Sequence, residues 1–170
     1  MYKITQLFVV FCLVMLCEGI SASQVAGQSN SGHVDVKPGQ SLYIVGFRQA
    51  HPPLVVDSSN GTVGRPEAYI YELDVEQKIR SEIKEWGYFK IVDKASESEV
   101  VLLVDSEDSS MEGLLIPQDA FKTHFKDKFD IDALREAALG RYLVGPLKVA
   151  SLGRLSDRLV KEMKQKISGK

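Results

Sequence analysis

The sequence predicts an α/β fold (an α+β sandwich): a mixed sheet of about four to five strands, an amphipathic helix after the first strand, and a C-terminal helix packed on the sheet. Three observations predict it. VVLLV at 100–104 is an unbroken run of β-branched residues and Leu, the composition of a strand covered on both faces. Two segments, from Val75 to Trp86 and from Leu152 to Ile167, carry apolar residues at helical spacing. Polar, Gly- or Pro-bearing stretches separate the runs, and strands interspersed with helices assemble as layers around a sheet.

In chain order, LYIVGF at 42–47 is a short apolar run bounded by turn residues and reads as the first strand, covered on both faces. The next segment, 48–67, holds Pro52, Pro53, Gly61, Gly64 and Pro66 and reads as one long loop. A helix follows, with Val75, Ile79, Ile83 and Trp86 as its stripe, an Asp74–Gln77 pair resembling a capping box, and Gly87 where a left-handed cap belongs. YFKIVD at 88–93 reads as a strand and KASESE as a polar link. VVLLV is then the most buried strand, with a turn at 106–110.

Beyond the turn, LLIP is a short strand candidate. Phe121, Phe125 and Phe129 fall four apart among Lys122, His124, Lys126, Asp127 and Lys128, the pattern of an amphipathic helix with Phe in the core. Asp130 caps a second short helix, IDALREAAL, ending at Gly140. RYLV and PLKVA are weaker strand candidates around Gly145 and Pro146. The last helix has Leu152, Leu155, Leu159, Met163 and Ile167 on one side. Arg154, Arg158, Lys161, Lys164 and Lys166 occupy much of the rest, the wet face of a core helix in preference to a surface for anionic lipid or a partner. One shared core is expected for Val75, Ile79, Ile83, Trp86, Val101, Leu103, Leu155, Leu159 and Met163.

The N-terminus opens with Lys3, an apolar run from Leu7 to Cys17, and small residues at Gly19, Ser21, Ala22 and Ser23. This is the order of a secretory signal peptide over 1–23. The run is shorter than the ~20 residues a membrane-spanning helix needs, which disfavours an anchor. Lipid attachment at Cys17 is disfavoured by Leu16, where a small residue belongs. Residues 24–41 are rich in Ser, Gly, Gln and Asn and read as a flexible linker, leaving 42–168 as a single α/β domain. The two cysteines, Cys12 and Cys17, both lie in the leader, so the mature domain is held by its core and not by disulfides. Lys3 and Glu18 cancel, so the net charge stays at −2 after cleavage, which gives no electrostatic reason to bind nucleic acid.

Chemistry-bearing motifs are sparse. Gly61 and Gly64 lack the Lys-Ser/Thr ending of a phosphate loop and the third glycine of a dinucleotide fingerprint. Gly61-Thr62-Val63-Gly64 matches the KH loop, but that loop joins two helices and the residues before Gly61 read as extended. Asn60-Gly61 is the signal of a tight turn, with an anion contact near a helix start as the sharper alternative, and Asn60-Gly61-Thr62 is a glycosylation acceptor in a eukaryotic source. His33, His51 and His124 stand apart from one another, so no zinc set or other metal site is read, and no cofactor is implied. Glu97, Glu99, Asp105, Glu107 and Asp108 read as solvated loop charges, against weak Ca²⁺ binding.

VEQKIRSEIKEWGYFKIVDKASESEVVLLVDSE, together with RLVKEMKQKI, resembles small exported bacterial α/β envelope domains, similar to the N-terminal domain of the Tol-system propeller protein. In these an amphipathic helix leads through a strand and a short link to a second, buried strand. The resemblance covers two blocks, has no invariant motif, carries over no catalytic residues, and implies a binding or assembly module.

Two function classes follow. The first is an exported, periplasmic or envelope-associated, non-catalytic module. It binds an envelope protein or glycan through the 48–67 loop, where Arg48, His51, Leu54, Val55 and Arg65 mix apolar and cationic groups and three prolines lower the entropy of holding a binding shape. The second is a small secreted hydrolase using the same loop, built from His51, Asp57 and Ser58 or Ser59, although no G-x-S-x-G elbow accompanies them. Whether or not the loop acts, export makes a first prediction. Intact-mass measurement of the secreted protein should place the new N-terminus near Ala22. A retained leader, or the mass of a diacylglyceryl group on Cys17, would rule out simple release.

Overall fold

A computed structural model describes residues 36–50, 55–57, 62–64, 68–107, 109–148 and 151–169, the two short segments 55–57 and 62–64 by their backbone alone. All of them fall in one compact unit spanning 33–170. The segment read as a leader and most of that read as a linker lie outside the described residues. Lys37–Gln40 form a turn, however, and Val36 is buried, with its carbonyl accepting from the Tyr88 hydroxyl at 2.9 Å. The last residues of the segment read as linker therefore belong to the domain.

Eight strands and four α-helices are described: β1 (Ser41–Ala50), β2 (Val55–Asp57), β3 (Thr62–Gly64), β4 (Ala68–Tyr71), α1 (Leu73–Trp86), β5 (Lys90–Ile91), β6 (Val100–Ser106), β7 (Met111–Pro117), α2 (Gln118–Phe121), α3 (Ile131–Glu136), β8 (Gly140–Val144) and α4 (Leu152–Ser168). A 3₁₀ turn at Ala95–Glu97 precedes β6, and a π-helical segment, Lys122–Asp127, continues α2. The main sheet has the order β4-β1-β6-β7-β8, with β5 beside the start of β1. β1 runs parallel to β5 and β6, and the other neighbours are antiparallel, so the sheet is mixed as expected. β2 and β3 form a separate antiparallel pair.

Side chains alternate across a strand, so a run that is apolar throughout must be covered twice. β6 shows this directly. Val100, Leu102 and Val104 pack with Leu42, Ile44, Leu115 and Tyr142 under α1 and α4. Val101 and Leu103 pack with Val45, Phe47, Leu114 and Ile116 under the α2–π segment and α3, which contribute Phe121, Phe125 and Leu134. The sheet is thus sandwiched between two helical layers. This corrects the expectation of one shared core. Val75, Ile79, Ile83, Leu155, Leu159 and Met163 do lie together, with Trp86 against them, but Val101 and Leu103 belong to the opposite face.

Local signals explain most element ends. Gly87 closes α1 at φ 71°, donating to the Ile83 carbonyl, a conformation that costs glycine least. Asp130 caps α3 by accepting from the Ala133 N–H at 3.0 Å, and Ser151 caps α4 through Arg154 N–H at 3.4 Å. The Asp74 capping box does not form: α1 begins at Leu73 after Glu72, whose N–H is already bonded to the Gly46 carbonyl at 2.9 Å, so Asp74 sits inside the first turn. Gly46 permits this approach, since a Cβ there would lie 2.4 Å from the Glu72 carbonyl oxygen. The strand read over 88–93 shrinks to Lys90–Ile91, although Tyr88 and Val92 on either side still bond to Gly39 and Leu42 through their backbone. IDALREAAL is helical only to Glu136, and Leu139 instead bonds back to the Leu115 carbonyl at 2.7 Å. Gly145, at φ 109°, and Pro146, which has no N–H to donate, end β8, so the residues of PLKVA described here continue no strand.

The packing of α4 makes a second prediction. Leu159 is fully buried, and its methyl carbons lie 3.3 Å from where a Cβ on Gly113 would stand. A sheet that leaves only hydrogen at that point cannot collapse onto a missing leucine. Leu159→Ala should cost about 2–5 kcal/mol in urea unfolding. A loss under ~1 kcal/mol would mean that α4 is not docked as described.

Candidate functional site

β1 and β6 run parallel, so their carboxyl ends come together, and in open α/β sheets that end is where ligands bind. The 48–67 segment leaves the sheet there. The β1–β6 ladder stops at the pair Phe47–Asp105. Past it, the Asp105 carboxylate replaces the ladder, accepting from the Gln49 backbone N–H at 3.3 Å and from Gln49 Nε2 at 2.7 Å. Asp105 is only 6% exposed. Burial pushes its carboxyl above the usual aspartate range; the Gln49 bonds pull it part of the way back, and Glu107 and Glu112 push it up further.

Glu112 is the register partner of Asp105 on β7 and is also buried. Its carboxylate is held from two sides, by Arg135 Nη2 of α3 at 2.9 Å and by Arg141 Nε of β8. Arg135 also reaches Asp132 at 3.4 Å. Asp105, Glu112 and Arg135 border a cavity of about 450 Å³ that Glu107, Ser110 and Leu143 also line, and there the Ser110 hydroxyl donates to Glu107 at 3.2 Å. Each buried carboxylate therefore has its own donors, and together the bonds fasten β1 to β6 and β7 to both β8 and α3. Chemically this is a staple across strand ends. No serine in it is paired with a histidine, and among the described residues no group of three His, Cys, Asp or Glu is arranged to hold a metal ion.

The residues singled out in the sequence divide. Arg48 is on β1, half exposed, and pairs with Glu72 at 3.4 Å. Val55 is in β2, described by its backbone alone. His51, Leu54 and Arg65 lie outside the described residues, as do Ser58 and Ser59 of the hydrolase reading. The segment is not one loop. Val55–Asp57 pairs antiparallel with Thr62–Gly64, while Asn60-Gly61, read as a tight turn, lies outside the described residues. His124 is on the π segment, its carbonyl accepting from the Asp130 N–H at 2.9 Å. The acidic group is not a set of solvated loop charges throughout: Asp105 is buried, and Glu99 accepts from both the Ser41 N–H at 2.9 Å and its hydroxyl at 3.1 Å.

Sequence reasoning missed β4, which pairs Tyr69 with Gln49 and Ile70 with Arg48. The signal was present in AYIY, a short β-prone run, but it abuts the helix without a turn residue. β4 is the sheet edge on the loop side. Tyr69 packs into an aromatic group with Phe125 and Phe129, at ring separations of 4.2 and 4.9 Å, and with Phe47 at 6.3 Å. Burial, then the 3.5 Å contact with the Tyr71 hydroxyl, pushes the Tyr69 phenol up to about 12. Beside this packed ring the surface is apolar and open: Ile70 is 49% exposed, Tyr71 54% and Leu73 64%.

No protein-family model matches the chain, and neither a curated protein nor a solved structure matches it.

The Asp105 environment yields a prediction with a definite sign. The folded carboxyl sits above its unfolded value of about 3.9, so the native state holds the proton more tightly. That contribution is complete below pH ~3.9 and is lost as pH rises through the folded value. Asp105→Asn removes the titration. In urea melts, its stability relative to wild type should therefore rise between about pH 4 and pH 7, on top of any constant offset from altered bonding to Gln49. A wild type that gains on the variant over that interval would show the Gln49 bonds outweighing burial.

Proposed function

We propose that this chain is an exported, envelope-associated, non-catalytic module that binds a protein or glycan partner through the surface formed by the 48–67 segment and β4. The observation that carries the reading is the apolar exposure at Ile70, Tyr71 and Leu73, three large side chains left open within four residues at a sheet edge beside Arg48. Exposed apolar groups that cluster mark interaction sites, whereas scattered ones do not. The charged groups at the neighbouring sheet end favour the same reading, because they are committed to one another and hold the strand ends in place. Among the described residues, the buried carboxylates there already have their donors and are not left as a free acid–base pair. The leader pattern, the cysteine-free mature chain and the resemblance to exported envelope domains support the location. Among the described residues no helix is long and apolar enough to cross a membrane.

A photo-crosslinking residue at Ile70 in cells producing the full chain tests the proposal. It should give one discrete adduct, and replacing residues 51–64 with a short Gly-Ser link should abolish that adduct while the domain still melts cooperatively. An adduct that survives the replacement would exclude the loop from the surface. A shortened protein that cannot fold would make the segment structural.

A further inference from the structure

The opposite edge of the sheet carries a second surface of different chemistry. Among the described residues no strand pairs with the outer side of β8, and between it and α4 runs an open groove of about 440 Å³ lined by Leu143, Gly145, Arg158, Lys161, Glu162 and Gln165. On α4, Arg154, Arg158, Lys161 and Gln165 are all exposed and fall at i, i+4, i+7 and i+11, one stripe along the helix. The acids of the same helix are already used. Asp157 lies 3.9 Å from Lys78, and Glu162 pairs with Lys166 at 2.8 Å. Among the described residues Arg158 and Lys161 have no ion-pair partner, so the groove wall is cationic on a chain whose net charge is −2. The other wall offers backbone. The Leu143 N–H points outward to Glu162 Oε1 at 3.5 Å, the limit of a hydrogen bond, and the Arg141 carbonyl receives Lys166 Nζ at 3.1 Å. Leu143 itself is 55% exposed.

We propose that this groove takes an extended acidic peptide of a partner protein, added as a further strand along β8. Its backbone carbonyl replaces Glu162 at the Leu143 N–H. Side chains alternate along the added strand, so one set of carboxylates meets Arg158 and Lys161 while the other set, apolar, covers Leu143. Charge complementarity selects an acidic sequence. The outward-facing backbone of the edge and the concave shape select a peptide over a lipid surface, which would meet only one projecting apolar residue here. The proposal is independent of the β4 surface, and the variant with residues 51–64 replaced should retain it.

The test uses the purified full chain and short labelled synthetic peptides alternating Glu and Val, with two controls: Lys in place of Glu, and Pro in place of the central Val. Fluorescence anisotropy should show saturable binding of the acidic peptide alone, weakening as salt is raised. The Arg158→Glu/Lys161→Glu double variant should weaken it by about tenfold or more, a loss of ~1.4 kcal/mol or greater. Both residues are exposed, so thermal melting should confirm an intact fold, and the Leu143 amide should shift on titration in heteronuclear NMR. The proposal is overturned if the charge reversal leaves binding unchanged or if the Pro peptide binds as well as its parent. It is equally overturned if phosphatidylglycerol vesicles bind while the acidic peptide does not.

Discussion

β6 has no solvent face, and the rest of the architecture answers to that. Val100 to Val104 project alternately to both sides of the sheet, and each side must exclude water from its own half of the strand. Fully burying one such side chain is worth about 1.5–3 kcal/mol, so a strand left open on one side would forfeit several of these contributions at once. α1 and α4 close one side. α1 lies over β1 and β6 and α4 over β7 and β8, and their apolar stripes meet in one cluster. The other side is closed by a more irregular cover, in which Phe121 and Phe125 stack at 5.1 Å and press against Phe47 and Tyr43. Aromatic bulk there does with few residues what two long helices do opposite. Close packing also dictates where side chains must be absent. Gly46 lies under the start of α1 and Gly113 under Leu159, so each helix rests near the backbone at one point.

What could be read from the sequence follows the physics of period and length. Long stripes at helical spacing leave no choice of partner face, so α1 and α4 were legible, as were Gly87 and Asp130, whose roles are local. VVLLV identified the central strand for the same reason that it concealed the core's division: an apolar run without alternation says that both faces are covered but not which residue goes to which. Val101 and Leu103 were therefore placed with α4 when they face Phe121. β4 escaped because four residues carry little pattern, whereas β5 was legible within 88–93 but is shorter than that run. At the site, Arg48 could be singled out as a loop-flanking cation. The Asp105–Glu112–Arg135–Arg141 group could not, since Asp105 and Glu112 become neighbours only through the β6–β7 register, and the two arginines arrive from elements well downstream.

The two edges of the sheet are treated differently, and the difference is physical. An unpaired edge invites another strand, and charged side chains laid across it are one way to limit that. Along β8, Glu162 and Lys166 do this from α4, each reaching one outward backbone group. Such contacts are reversible, so they discourage indiscriminate pairing while still yielding to a strand of suitable charge. β4 has tyrosines instead. Tyr69 is drawn into the aromatic group and Tyr71 half emerges, which makes that edge sticky and not electrostatically selective.

Asp105 joins the edge question to the core. β1 pairs with β6 only as far as Phe47, yet it continues to Ala50 to pair with β4. In that overrun the Gln49 N–H points toward β6 and finds no carbonyl in register. Leaving a buried donor unmet costs about 1–3 kcal/mol, and the side-chain amide of Gln49 adds a second donor at the same place. A carboxylate supplies two acceptors at once, whereas an apolar residue of similar size would supply none. The fold therefore tolerates a buried acid whose ionised form is disfavoured by desolvation, because the alternative is to strand both donors where the sheet changes partner. The same change of partner lets the chain return through β4 and deliver Glu72 to Gly46, from which α1 starts. Asp105 is thus the point at which one strand serves two sheet neighbours.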